Sequence, residues 1–327
     1  YMLDNPILHM HLSSMRTSRI KIKGESAVYH CMSRCVGGEA LLDQEAREVL
    51  RKQMWQVSDF CGVEIITYCL MSNHLHVLLR MPYEEEVSDA ELVRRFEVLY
   101  PQDYWRAKAL ERNLASGGDC AQLERKALLS RMGDVSVFMK EWKQRFSIWY
   151  NHRHHRFGTL WAERFKSLVV ENTALAIRVV AAYIDLNPVR AHLVEDPADY
   201  RWCGYGEALG GGKRAQDGLV QVVDSEDWEE AQACYRELLY CVGEVKSKEG
   251  DAVLEAESQE PFSLGQLIRH RVRYFSDGAI LGGKSFVRKV YEENRRCFQS
   301  KKERVEVGHV PENADWQGLY VFRNLRK

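Results

Sequence analysis

The spacing of apolar positions changes several times in the first third of the chain. Residues 26–36, SAVYHCMSRCV, are rich in β-branched and aromatic residues and predict a strand. Residues 42–62 carry apolar side chains at helical spacing, and Gly62 is a favourable residue for the end of that helix. Residues 63–71 predict a second strand and residues 74–81 a third, separated by a short Ser-Asn connection. These last two strands are therefore predicted to form a hairpin.

The pattern continues with helices and one further strand. Residues 83–133 are charged and helical, and we interpret them as an insertion between elements of the sheet. A helix is predicted at 134–153, a loop and a strand at 158–172, and another helix at 173–188 with Thr173 as its N-cap. The order β-α-β-β-helices-β-α predicts an α+β fold in which helices pack on an antiparallel or mixed sheet.

The regions outside this pattern suggest the domain organisation. Residues 1–19 have no clear period and are expected to be disordered or tag-derived, with Met15 as a plausible natural start. A main domain is predicted over residues 20–210. Residues 211–262 are interpreted as a helix followed by an acidic linker, and residues 263–327 as a small all-α helical unit.

Composition excludes some classes of protein. No apolar run approaches the ~18 residues of a membrane-spanning helix, so no membrane partner is expected. Nine cysteines without a Cys-x-x-Cys pair favour reduced thiols and a cytoplasmic setting over a disulfide scaffold or a zinc ribbon. The net charge of −1 does not by itself favour nucleic-acid binding, so the distribution of charge along the chain has to decide.

Two histidines interrupt the third predicted strand. Side chains two apart in a strand point to the same face, so His74 and His76 are expected to lie side by side. Leu75 would then point into the core with Val77 and Leu79. Paired imidazoles suit a divalent cation. Taken alone, the pattern also fits two half-exposed histidines on a sheet surface.

The helix predicted at 173–188 offers a third ligand. Tyr183 and Asn187 are four residues apart and therefore share one helix face. An amide oxygen is a suitable ligand for a hard cation, and a tyrosine beside it is a candidate nucleophile. Taken alone, Tyr183 also fits an apolar core position, and Asn187 before Pro188 also fits the end of a helix.

In combination, these motifs resemble the REP-associated tyrosine transposases, which belong to the HUH single-tyrosine nucleases. That family is marked by a His-hydrophobe-His strand and a later helix with Tyr and, four residues on, an amide; here these are NHLH and AAYIDLNP. The family resemblance extends to AVYHCMSR (27–34), GTLWAERFKS (158–167) and NPVRAHLVEDPADYRWCGY (187–205). It covers about residues 20–205 in total, and the insertion at 83–133 departs from the most compact members.

The resemblance implies a ferredoxin-like antiparallel sheet with packed helices, in a domain that cleaves single-stranded DNA. It implies that His74, His76 and Asn187 hold Mg²⁺ or Mn²⁺ on the scissile phosphate. It also implies that Tyr183 attacks phosphorus, which leaves a 5′-phosphotyrosine and a free 3′-hydroxyl. Tyr150 is the rival nucleophile, but the residue four positions after it is a histidine rather than an amide.

A basic segment with interleaved aromatic residues is the candidate DNA-binding surface. Residues 140–166 contain seven lysines and arginines against two glutamates, a local net charge of +5. Positive charge neutralises phosphates and aromatic faces stack on unpaired bases, although a solvated helix with core tryptophans gives the same pattern. Near the C-terminus, two helices flanking SDGAILGG resemble a helix-turn-helix or a plain helical hairpin. The predicted DNA-binding residues are Arg34, Lys143, Arg153, Arg156, Arg164, Lys166, Lys284 and Arg288.

The predicted function is that of a metal-dependent endonuclease and strand transferase, or transposase. Its implied substrate is single-stranded DNA with a hairpin of the repetitive extragenic palindrome kind, and the protein would act in the cytoplasm at the nucleoid, as a monomer or homodimer. A domesticated DNA-binding regulator without cleavage and a rolling-circle replication initiator are the alternatives. Absence of metal binding would favour the regulator, and a helicase partner would favour the initiator.

Overall fold

The computed structural model describes residues 19–22, 24–83, 86–242, 272–298 and 318–323. The expectations for the first 18 residues and for the acidic linker beyond residue 242 lie outside these ranges. The strands are β1 (Ala27–Arg34), β2 (Glu64–Leu70), β3 (His74–Met81), β4 (Lys166–Val170), β5 (Gly278–Gly283) and β6 (Leu319–Arg323). The helices are α1 (Gln44–Cys61), α2 (Asp89–Leu99), α3 (Tyr104–Ser116), α4 (Asp119–Leu129), α5 (Val135–Arg153), α6 (Ala174–Asp185), α7 (Asn187–Arg190), α8 (Gly204–Leu209), α9 (Lys213–Val223), α10 (Trp228–Val242), α11 (Val272–Asp277) and α12 (Lys284–Glu293).

The strands form one sheet in the order β2-β3-β1-β4-β5-β6. The three pairs β2–β3, β3–β1 and β1–β4 are all antiparallel. With α1 between β1 and β2 and α5 between β3 and β4, this part has the βαββαβ connectivity of a ferredoxin-like fold. The structure therefore confirms the α+β fold that the apolar pattern predicts, including the hairpin of β2 and β3.

One face of the sheet carries the core that the strand alternation predicts. Leu75, Val77 and Leu79 on β3 are fully buried in a cluster with the apolar sides of α1 and α5. Trp142 of α5 is also fully buried, and its indole N–H donates to the carbonyl of Leu50 at 2.9 Å. A buried tryptophan needs such a partner for its N–H, so Trp142 is a core residue and not part of a DNA-binding surface.

The opposite face of the sheet is covered by α6 and α9, and α10 packs on these two helices. Helix α6 is the most apolar of these, with Ile177, Val180 and Ile184 buried among residues of the sheet and of α9. Helix α9 approaches β2 closely at Gly218, where a Cβ atom would lie 2.4 Å from the carbonyl oxygen of Ile66. A side chain at Gly218 would therefore push α9 off the sheet.

The C-terminal region differs from the all-α, helix-turn-helix-like unit that the sequence suggested. Between α11 and α12 the residues GAILGG form β5, which pairs parallel to β4 and antiparallel to β6, so the sheet is mixed. Ile280 and Leu281 are fully buried, and they cover the edge of β4 that would otherwise be open. In the sequence, these glycines looked like turn residues. In the structure, Gly282 allows close packing instead, because a Cβ atom there would lie 2.6 Å from atoms of Glu171 and Phe286.

The charged segment after the hairpin forms α2, α3 and α4, as the helical pattern predicts. Helix α2 packs against α1, and Leu92 and Leu99 contribute to the core on that side of the sheet. This places the insertion beside α1, on the face of the sheet opposite to α6. Among the described residues, no helix is long and apolar enough to cross a membrane.

Candidate active site

The two strand histidines lie where β3 begins, on the face of the sheet that α6 covers. In the pairing of β1 with β3, Arg34 lies opposite His74 and Met32 lies opposite His76. The imidazole centroids of His74 and His76 are 5.1 Å apart. His76 is buried, whereas His74 keeps partial access to solvent. The side-by-side arrangement that strand alternation predicts is therefore present.

Tyr183 of α6 contacts the buried member of this pair, His76. Its ring centroid is 5.8 Å from that of His76, with the rings edge to face. Only 1% of the Tyr183 surface is exposed, because Phe275 of α11 stacks on the ring with a centroid distance of 4.5 Å. Burial raises the pKa of Tyr183, and the positive charge of Arg190 opposes that rise. The candidate nucleophile is thus close to the histidines but is buried from solvent.

A third histidine, His30 of β1, belongs to the same cluster. Its Nε2 is 2.9 Å from Nδ1 of His76, and the two rings stack at 5.1 Å. His30 is completely buried, and its ring also contacts Tyr183 at 5.9 Å. The sequence shows that His30 and Arg34 share a strand face, but the diagonal contact with His76 follows only from the register of β1 on β3.

The three imidazoles are neutral at physiological pH. Burial lowers the pKa of His30 to about 3 and that of His74 to about 4, and Arg34 and Arg190 add to the effect at His74. The pKa of His76 lies well below its usual range for the same reason, and the neighbouring His30 lowers it further. Neutral imidazole is the form that binds a metal cation, so protons do not compete for this site near pH 7.

Asn187 begins the short helix α7, one turn after Tyr183. Its amide Nδ2 donates to the carbonyl oxygens of Tyr183 at 3.0 Å and of Ile184 at 3.1 Å. These bonds close the C-terminal end of α6 and leave the amide oxygen Oδ1 as the group that can act as a ligand. The amide is therefore oriented by the end of the same helix that carries the tyrosine.

Arg190 contacts both functional residues of this segment. Its guanidinium carbon lies 4.4 Å from the Tyr183 ring centroid, Nη1 donates to the Tyr183 carbonyl at 3.3 Å, and Nη2 donates to Oδ1 of Asn187 at 3.3 Å. The sequence offered one signal for it, a cation three residues after Asn187 in the helical stretch NPVR.

The donor set fits a small divalent cation. Nδ1 of His74 is 2.5 Å from Oδ1 of Asn73, and Nδ1 of His76 is engaged by His30, which leaves Nε2 of each ring for a ligand bond. With Oδ1 of Asn187, these atoms would supply two imidazole nitrogens and one amide oxygen. Within the described ranges, no group of three or more His, Cys, Asp and Glu side chains is arranged to hold a metal, and the two imidazoles with the amide remain a candidate donor set.

A buried carboxylate holds α6 in place from behind. Asp185 accepts hydrogen bonds from Thr67 Oγ1 at 2.8 Å, from the Tyr235 hydroxyl at 2.6 Å and from the backbone N–H of Tyr205 at 3.2 Å. These partners lie on β2, α10 and α8. Burial raises the pKa of Asp185 to about 6, although these hydrogen bonds favour its ionised form. The sequence shows only a polar residue in an apolar helix and gives no sign of its partners.

The rival tyrosine lies on the other side of the sheet. Tyr150 is 5% exposed in the core around α5, where its ring stacks on His154 at 4.1 Å and contacts Phe146 at 5.9 Å. The strand histidines face α6, so the sheet separates Tyr150 from them.

The predicted DNA-binding residues divide into two groups. Arg34 is exposed opposite His74, and Lys166 starts β4 opposite Met32, so both lie at the histidine end of the sheet. Lys166 pairs with Asp277 at 3.4 Å, which ties α11 to this end. Four further basic residues lie near the same end. Arg153 and Arg164 are exposed, and Arg156 is half-buried. The fourth is Lys143, whose Nζ is 5.0 Å from the centroid of the Trp161 ring.

Lys284 and Arg288 form the second group. Both are exposed on α12, which starts where β5 ends, and β5 runs parallel to β4 away from Lys166. They therefore lie towards the opposite end of the sheet, and the structure does not bring them to the histidine cluster.

Comparison with known proteins agrees with this part of the structure. Residues 24–112 match the family model described as "Transposase IS200 like". The matched residues include His30, Arg34, His74 and His76, so the family resemblance expected from the sequence is confirmed over them. No curated protein matches the chain. One solved structure, described as "Structure of the REP associates tyrosine transposase bound to a REP hairpin", aligns with 17% identity and a TM-score of 0.39 over 60% of this chain and 85% of that chain.

Proposed function

We propose that this protein, whose residues 24–112 match the IS200-like transposases, is a metal-dependent endonuclease and strand transferase for single-stranded DNA with a hairpin. The observation that carries the proposal is the meeting of two elements. Helix α6 holds Tyr183 within 5.8 Å of His76, and Asn187 follows one turn later. A phenol can act as the nucleophile of a phosphoryl transfer, and two neutral imidazoles with an amide oxygen are suitable ligands for the cation that would assist it.

In the proposed reaction the hydroxyl of Tyr183 gives up its proton to water, and its oxygen forms a bond to the phosphorus of the scissile phosphodiester. The bond from phosphorus to the 3′-oxygen breaks, and that oxygen takes up a proton to become a free 3′-hydroxyl. His74, His76 and Asn187 would hold a Mg²⁺ or Mn²⁺ ion, which supplies charge neutralisation and orientation at the phosphate. The 5′-phosphotyrosine keeps a phosphodiester bond, so a 3′-hydroxyl can attack it and reseal or transfer the strand.

The ionised form of the Tyr183 phenol has to be stabilised by neighbouring residues. A phenol has an ordinary pKa of about 10, and burial raises it further here, so the ionised form needs nearby positive charge. Arg190 supplies that charge 4.4 Å from the ring centroid. Tyr183 is 1% exposed and Phe275 stacks on its ring, so the proposed reaction requires a rearrangement that lets DNA reach the hydroxyl.

A covalent-capture assay tests the proposal. A single-stranded hairpin with an unpaired flank, labelled at its 5′ end or at its 3′ end, would be incubated with the protein and Mn²⁺ or Mg²⁺ and then boiled in detergent. We expect a protein-linked band only with the 3′ label, because the tyrosine retains the fragment that follows the break. Removing the metal with EDTA should abolish this band and leave hairpin binding in a native gel, since the metal acts on the phosphate in the chemical step.

Two outcomes would contradict the proposal. A band that retains the 5′ label would mean that the 5′-oxygen is the leaving group and that the tyrosine is joined to a 3′-phosphate. Specific hairpin binding without any covalent product in either metal would favour a DNA-binding regulator instead.

The proposed DNA contacts also predict a dependence on pH. Burial, helped by the charge of Arg19, lowers the pKa of Lys143 to about 8. An amine is charged below its pKa, so Lys143 would be positive at pH 7 and mostly neutral at pH 9. If Lys143 contacts a phosphate, hairpin affinity should fall by roughly tenfold across this range, the value of one charge-assisted hydrogen bond. Fluorescence anisotropy at constant ionic strength would measure it.

The matched variants are substitutions that keep the charge. Lys143→Arg should bind at pH 9 as well as at pH 7, because a guanidinium stays protonated throughout. Lys140→Arg, on the exposed side of the same helix, should keep the wild-type pH profile. An unchanged decline in Lys143→Arg would remove Lys143 from the binding surface.

A further inference from the structure

Phe157 is the most exposed large apolar side chain of the described residues. Its relative exposure is 96%, compared with 68% for the next, Leu123. An isolated apolar ring in water gains no burial from the fold. Single exposed apolar residues are common on protein surfaces, so the loop and the charges around Phe157 have to indicate what it binds.

The loop that carries Phe157 is held in one conformation. The backbone N–H of Arg156 donates to the carbonyl of Asn151 at 2.9 Å, and the side-chain amide of Asn151 donates to the carbonyl of Gly158 at 3.0 Å. These two bonds fix the chain immediately before and after Phe157. Gly158 has φ of +95°, a conformation that most other residues adopt only with strain. The ring is therefore presented to solvent by a structured turn.

The segment that precedes the ring in the sequence is basic. Residues 152–156 are His-Arg-His-His-Arg, and no acidic residue follows until Glu163. Arg153 is partly neutralised by Glu45, with Nη2 3.1 Å from the carboxylate. A protein interface would need a broad patch of about 800 Å² on each partner, whereas one ring among cations suits a polyanion with exposed flat bases.

The loop also lies near the candidate active site. Leu160, just beyond the loop, accepts a hydrogen bond from the N–H of Val36 at 2.9 Å, and Trp161 forms a bridge with Cys35. Cys35 and Val36 directly follow Arg34, the last residue of β1, and Arg34 lies opposite His74. Three peptide units span at most about 11 Å, so Phe157 lies within that distance of Leu160 along the chain. A strand whose phosphate sits at His74 could reach the ring within a few nucleotides.

We infer that Phe157 is a stacking site for one unpaired nucleobase of the substrate strand, a few nucleotides from the scissile phosphate. This inference rests on the proposed function, because it takes single-stranded DNA as the ligand. The surrounding cations would hold the phosphates on either side of that base, while the ring face replaces the neighbouring base in the stack. Such a contact is tolerant of sequence but requires that the base be unpaired.

The test uses the full-length protein and a hairpin with an unpaired flank, with 2-aminopurine placed at each flank position in turn. We expect fluorescence quenching at one position to be lost in Phe157→Leu, which keeps an apolar side chain but removes the ring. It should be retained in Phe157→Trp. Affinity for the flanked hairpin should fall roughly 5- to 150-fold in Phe157→Leu, and affinity for the fully paired stem should not change. Leu123→Ala, at a 68% exposed apolar position on α4 and outside residues 140–166, is the matched control and should behave as wild type.

The outcomes separate this inference from the proposed function. Covalent capture by the wild type, together with unchanged affinity and quenching in Phe157→Leu, would overturn the stacking site alone. Quenching that depends on Phe157 without any covalent product would keep the stacking site and overturn the nuclease. Equal losses in Phe157→Leu and Phe157→Trp would also overturn the stacking site, because a planar ring would then not be sufficient.

Discussion

Replacing Tyr183 by phenylalanine should abolish covalent capture of DNA and leave hairpin binding within about twofold of wild type. The substitution removes only the hydroxyl, which is the proposed nucleophile, so no phosphotyrosine bond can form. The phenyl ring keeps the stacking with Phe275 and the edge contact with His76. The fold and the DNA surface should therefore stay intact. The measurement is the 3′-labelled capture assay, with affinity measured in parallel by anisotropy.

Tyr150→Phe is the matched control for this experiment. Tyr150 is also buried at a helix, but it lies on the α5 side of the sheet and contacts Phe146 and His154 instead of the strand histidines. We expect it to form the covalent product at the wild-type rate. Capture that persists in Tyr183→Phe and disappears in Tyr150→Phe would exchange the roles of the two residues.

Asp185→Ala should lower the free energy of unfolding by about 3 kcal/mol and the Tm by about 6–12 °C. The carboxylate accepts hydrogen bonds from Thr67, Tyr205 and Tyr235, and all three donors would be left without an acceptor in the core. The loss is partly offset, because the burial that raises the pKa of Asp185 to about 6 also makes its charge costly. Chemical denaturation followed by circular dichroism would measure the change.

A double-mutant cycle makes this prediction specific to the hydrogen bonds. Tyr235→Phe removes one donor and should cost about 1 kcal/mol by itself. Asp185→Ala combined with Tyr235→Phe should cost about 1 kcal/mol less than the sum, because the unpaired hydroxyl is then also gone. Strict additivity would mean that the cost of Asp185→Ala comes from lost packing. The network joins α6 to β2 and α10, so its loss should also loosen the helix that holds the nucleophile.

The fold near the site could be predicted because its signals are local. Alternation in residues 74–81 places the two histidines on one face and Leu75 on the other, and the spacing of Tyr183 and Asn187 places them one turn apart. The first relation depends only on the geometry of one strand. The second holds although the helix predicted at 173–188 ends at Asp185 and Asn187 begins a separate short helix. The expectation that the strand with the histidines and the segment with Tyr183 lie close together came from the family resemblance. The spacing within either segment does not predict it.

What the sequence did not predict depends on long-range contacts. His30 reaches His76 only through the register of β1 on β3, and Phe275 reaches Tyr183 only because β5 pairs with β4. In the sequence, the residues of β5 look like a turn between two helices, since glycines favour turns. Their assignment as a strand requires the open edge of β4, which no local pattern shows. The stability of that pairing therefore overrides the local preference.

The parallel pairing of β4 with β5 also affects how the chain folds during its synthesis. Strands β1 to β4 and the helices between them leave the ribosome before β5. Until residues 278–283 emerge, the backbone of β4 at Val169 and Val170 is an open edge that another chain can pair with. Nascent or truncated chains that end before β5 should therefore be the species most prone to aggregate, and completion of the chain closes the edge.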